Sequence, residues 1–211
     1  MSNNIVSVQR NDDNTREPAS IRNIHTLTNV ALLAAVSFAL SFLEFPVPLS
    51  PSFARMDISD FPALVGSITL GPWAGLTVEL IKNLLGLFST STGGVGELAN
   101  FLIGGTMVFT AGMVYYKCRG KAWLACMLGS VAMSAMAALA NYFILLPLFE
   151  NFMPMEALIA SFSEFIPFIH TKLDVVLLNA VPFNLLKGLG ISLVTLLVYP
   201  KLIPALRGKT C

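Results

Sequence analysis

Apolar runs poor in charge dominate this chain, and several approach the ~20 residues that a helix needs to cross the hydrocarbon core of a bilayer. They cover residues 23–43, 58–70, 73–90, 96–116, 122–147 and 173–200. Gly71-Pro72 separates the second run from the third, because proline cannot continue a helix and glycine permits a tight turn. Pro147 is expected to end the fifth, and Pro182 to break the last, which also carries Lys187. The pattern predicts an all-α integral membrane protein: one six-helix transmembrane domain over 23–205, a polar tail over 1–22 and a short end over 206–211.

Basic residues add an orientation, since cytoplasmic loops hold the excess of Lys and Arg. Arg10, Arg16 and Arg22, then Lys117, Arg119 and Lys121, then Lys201, Arg207 and Lys209 fall on one side only if the number of spans is even. Both termini are then cytoplasmic, with Arg55 and Lys172 outside. Composition agrees: 55% of residues are hydrophobic and 12% charged, against about 25% charged in soluble domains. A soluble enzyme is excluded. A net charge of +1 provides no basic stripe for nucleic acid. Cys118, Cys126 and Cys211 have no CxxC spacing, and His25 and His170 lie at opposite expected surfaces, so no metal site is expected. There is no phosphate-binding GxxxxGK[ST] and no HExxH or GxSxG, so no catalytic residue is assigned.

Polar residues inside the apolar runs are the candidates for function, because burial in a membrane is costly unless they meet a partner, water or ligand. Lys187 lies about midway along the last run, with Asn184 three positions earlier on the same helical face. Asn141 sits at comparable depth in the fifth run and can both donate and accept, as recognition of a heterocycle edge requires, or hydrogen-bond a neighbouring helix. Glu97 and Asn100 share an i, i+3 face, as do Glu79, Lys82 and Asn83, where an intrahelical ion pair is the simpler reading. Asp57 and Asp60 are expected to cap the second helix near water. Ala31, Ala35 and Ala39 form a small-residue row on the first helix, suited to close helix approach inside this bundle or against another protein. The connections over 44–60 and 149–171, rich in aromatics, prolines and methionines, suit the membrane surface or a cap over a cavity.

Four ordered motifs carry a family resemblance: Met56-Asp57-Ile58-Ser59-Asp60-Phe61-Pro62, Lys82-Asn83 through Glu97-Leu98-Ala99-Asn100-Phe101, Asn141-Tyr142-Phe143, and Pro182-Phe183-Asn184-Leu185-Leu186-Lys187-Gly188. Together they resemble the substrate-binding S components of energy-coupling factor (ECF) vitamin transporters, the riboflavin-specific type in particular. The resemblance implies a cell-membrane protein that captures riboflavin from outside and delivers it by association with a transmembrane T component and two ATPases. ATP is then hydrolysed by the partners, and the chain needs no cofactor of its own. It further implies that Asn141, Asn184 and Lys187 hydrogen-bond the flavin, with Glu97, Asn100 and Lys82 in the same site. Phe45 closes over that site, Phe143 belongs to its aromatic wall, and Ala31, Ala35 and Ala39 dock the T component. An S component for pantothenate or a nicotinate-like vitamin is the alternative; an intramembrane enzyme or a structural scaffold is more remote.

Overall fold

The computed structural model describes residues 19–46, 55–90, 93–118, 120–151 and 154–206. Most of the expected tail and C-terminal end, together with Arg119, lie outside the described residues. The first helix, α1, is Ala19–Ser41. A two-residue antiparallel ladder follows, β1 (Phe45–Pro46) against β2 (Arg55–Met56). Next come α2 (Asp60–Leu70), α3 (Pro72–Gly86), α4 (Val95–Lys117) and α5 (Ala122–Ala140). The chain then passes through a π-helical turn, Asn141–Leu145, into α6 (Leu146–Phe149). After α7 (Met155–Ser163), a short α8 (Lys172–Val175) leads through a second π-helical turn, Val176–Ala180, into α9 (Val181–Leu206).

Among the described residues four helices are long and apolar enough to cross a membrane: Ile24–Ser41, Val95–Lys117, Ala122–Phe149 and Lys172–Leu202. At 1.5 Å per residue α2 reaches only about 16 Å, roughly half the hydrocarbon thickness. Its position explains how so short a helix is tolerated. Nine of its eleven residues are buried, between α1, α3, α4 and α9, so its ends meet protein rather than lipid.

Two expectations change at the prolines. Pro147 does not end the fifth helix, which continues to Phe149, and Pro182 does not break the last one. Each proline lacks the N–H its helix would use, and the π turn just before it absorbs the irregularity. The 149–171 connection is also more ordered than a plain linker. Leu158 and Phe162 of α7 bury against Leu146, Ile169, Val175 and Val176, forming a second small core at one end of the bundle.

The main core joins α1, α2, α4, α5 and α9 through residues such as Leu33, Leu64, Met107, Met133 and Ile191. Glycines set how closely these helices approach. A side chain at Gly112 would collide with Ser67 and bring its Cβ within 2.8 Å of Pro72 Cα, whereas nothing lies within 4 Å of the corresponding position at Gly190. Gly112→Ala is therefore expected to destabilise the bundle by about 1–3 kcal/mol, the usual range for overpacking. Gly190→Ala should leave it unchanged or raise it slightly, since alanine is the better helix former. Thermal unfolding of the two variants in detergent checks the contrast.

A polar cavity within the helix bundle

Toward the end that carries the β ladder and α7, the helices enclose a cavity of about 950 Å³. One part of its lining is polar: Asp57, Lys82 and Asn83 of α3, Glu97 and Asn100 of α4, Asn141, and Asn184 and Lys187 of α9. Another part is apolar, with Leu145, Phe149, Leu158, Phe162 and Phe183. This division suits a flat, largely apolar molecule with a few hydrogen-bonding edges.

Behind the polar wall lies a buried charge network. Lys82 Nζ pairs with Asp60 Oδ1 at 2.5 Å and with Glu79 Oε2 at 2.7 Å. Lys187 Nζ pairs with Asp60 Oδ2 at 3.0 Å and with Asp57 Oδ1 at 3.5 Å. Asp60, fully buried, therefore bridges the two ammonium groups. This corrects the expectation that it caps a helix near water: α2 begins inside the bundle, so its first carboxylate meets lysines instead of solvent. Asp57, less buried, does organise the helix start, accepting from Ser59 N at 2.9 Å and Ser59 Oγ at 2.6 Å. Gly104 of α4 makes room for the cluster; a Cβ there would lie 3.0 Å from Glu79 Oε2 and 3.1 Å from Asp60 Oδ1.

The amides extend the network. Asn83 Nδ2 donates to Glu79 O at 2.8 Å, and Asn100 Nδ2 donates to Asn83 Oδ1 at 3.1 Å. Thr90 Oγ1 donates to Glu97 Oε2 at 2.8 Å. Asn141 and Asn184 each donate Nδ2 to the carbonyl one turn back, Ala137 O at 2.8 Å and Ala180 O at 2.9 Å. Asn141 thus bonds its own helix and not a neighbouring one. Each amide nitrogen keeps a second N–H, so each side chain still has a donor as well as its carbonyl oxygen for the cavity.

Six of the candidate residues, Lys82, Glu97, Asn100, Asn141, Asn184 and Lys187, share this one lining. Phe45 and Phe143 do not. Phe45 sits half exposed in β1, and Phe143 turns outward at 68% exposure, edge-on to Tyr142; Phe149, Phe162 and Phe183 supply the aromatic wall instead. Ala31, Ala35 and Ala39 lie on the exposed side of α1, while Ala34 and Ser37 face inward, with Ser37 donating to Ser59 O. The row is not used for packing within the bundle. Asn179, Phe42 and the α7 residues in the lining were not singled out by sequence: the π turn sets the phase of Asn179, and Phe42, Leu158 and Phe162 reach the cavity through the tertiary arrangement alone.

The electrostatics favour a neutral occupant. Both lysines of the network are already engaged by carboxylates, so neither is a spare counter-charge for an anion. An uncharged molecule that exchanges hydrogen bonds with amides avoids that conflict.

The model of the family described as "ECF transporter, substrate-specific component" matches residues 25–199. The chain is 32% identical to "Riboflavin transporter RibU" of Staphylococcus aureus (strain TCH60), over 90% of this chain and 96% of that one. It is also 32% identical to "Riboflavin transporter FmnP" of Bacillus subtilis (strain 168), over 86% and 93%. A solved structure described as the S component of a bacterial ECF transporter superposes with a TM-score of 0.68 at 32% identity, covering 88% of this chain and 99% of that one.

Proposed function

Because the chain belongs to the family of ECF transporter substrate-specific components, we propose that it captures riboflavin, the vitamin its relatives are named for, on the outer side of the cell membrane. As a member of that family it is a multi-pass membrane transport component and not an enzyme. The observation that carries the ligand is the pairing within the cavity wall: Lys187 and Lys82 are neutralised by Asp57, Asp60 and Glu79. Riboflavin is uncharged at neutral pH, with a heteroaromatic edge for the amides and an apolar ring face for Phe149, Phe162 and Phe183. The carbonyl groups of Asn141 and Asn184 accept from it, Lys187 donates, and Glu97 with Asn100 supports its polyol.

In this reading α2, short and sheathed by other helices, and α3 complete six crossings, and both termini are cytoplasmic. Release follows association with a T component and two ATPases, which hydrolyse the ATP. Ala31, Ala35 and Ala39, exposed on α1, are the face that docks the T component.

The protein purified in detergent should show the visible absorption of a flavin, intrinsic or gained after incubation with riboflavin, and mass spectrometry after denaturation should identify riboflavin as the released molecule. A colourless protein that stays ligand-free in excess riboflavin and releases a carboxylate vitamin would overturn the assignment.

A further inference from the structure

The last membrane-crossing segment reaches the cavity with Val175, Asn179, Ala180, Phe183, Asn184 and Lys187, and four of these, Val175, Asn179, Phe183 and Lys187, recur at intervals of four residues. An α-helix turns about 100° per residue, so the twelve steps from Val175 to Lys187 would drift about 120° around an unbroken helix. Val175 and Lys187 would then face different neighbours. The π-helical turn Val176–Ala180, closed by Val181 N–H donating to Val176 O five residues back, holds one extra residue and takes back about 100° of that drift.

Its counterpart works in the same way. Asn141, Leu145 and Phe149 also line the cavity at intervals of four, and Leu146 N–H closes the π turn onto Asn141 O. The two turns contact each other, and each ends two residues before a proline. Both helices are thus re-phased at the same wall.

We infer that Asn179, which lies within the second π turn and lines the cavity, is a substrate-contacting and specificity-determining residue brought into line with Asn184 and Lys187 by that turn. Together with Asn141 it completes a wall of three amides, enough for alternating donors and acceptors along one polar edge of a ligand. The π turn also provides an internal control, since Leu177 in the same turn points away from the cavity and is 52% exposed.

This inference rests on riboflavin as the ligand, and the test separates the two. Full-length protein in detergent, altered by Asn179→Ala or by Leu177→Ala, is titrated with riboflavin by flavin fluorescence, and the thermal midpoint of each ligand-free variant is measured. Asn179→Ala is expected to weaken binding about ten-fold or more, the value of one good hydrogen bond to ligand, with its midpoint unchanged and Leu177→Ala at normal affinity. A change in affinity under about two-fold for Asn179→Ala would overturn the contact. Equal weakening by both variants, or a loss that follows a lowered midpoint, would overturn it as well, because the turn would then act only through its shape. No riboflavin binding by the unaltered protein would overturn the ligand assignment and the inference with it.

Discussion

Replacing Asp60 by alanine is expected to cost about 3–5 kcal/mol of stability, the range for breaking a buried ion pair by removing one partner, and to abolish ligand retention. Asp60 has the largest effect because it is shared: its two oxygens meet Lys82 and Lys187 on different helices. Without it Lys82 keeps Glu79 and the Ser59 hydroxyl, and Lys187 keeps the more distant Asp57. Both lysines also line the cavity, so the structural damage reaches the binding wall directly. Thermal unfolding in detergent measures the loss. Combining Asp60→Asn with Lys187→Met should recover part of it, since a wholly removed buried pair costs less than a broken one. A single Asp60→Ala variant within about 1 kcal/mol of the parent would show that water already screens the cluster.

The second large effect concerns transport instead of stability. Ala35→Leu adds three carbons to the exposed face of α1 and touches neither the core nor the cavity lining. Riboflavin affinity and the thermal midpoint should therefore be preserved. If that face meets a partner helix at the close distance small residues allow, the added bulk should prevent assembly and reduce uptake of labelled riboflavin by cells to background. Val36→Leu, at an exposed neighbouring position off the small-residue row, should retain uptake. Normal uptake by Ala35→Leu would sink the docking role.

Charge-poor stretches made the helical architecture legible, because an ionised side chain in hydrocarbon must be explained. The same reasoning drew attention to Lys187, Asn184 and Asn141, which share the cavity wall. It failed for Asp60. A carboxylate at a helix start ordinarily faces water and complements the helix dipole, and nothing local reveals that this helix begins in the protein interior. Lys82 and Lys187, distant in sequence and on two other elements, make its burial tolerable. Phe143 misled for a related reason: an aromatic one or two residues from a polar candidate shares its neighbourhood in sequence but points elsewhere on the helix. The prolines were visible, yet they read as terminators. Their actual setting, a change of helical phase that continues the helix, lies in the π turn before each, which no local sequence signal shows.

The bridge between α2 and α9 has a bearing on biogenesis. Asp60 is made early, whereas Lys187 emerges only with the last helix of the chain. Until synthesis is nearly complete, the nascent protein holds a carboxylate in the bilayer with half of its eventual partners missing. The hairpin of α2 and α3, short and carrying Asp60, Glu79 and Lys82, is a poor candidate for lateral release into lipid on its own. Closure of this one ion pair thus couples burial of the second helix to arrival of the ninth, so that a chain without its last helix leaves Asp60 with Lys82 but without Lys187.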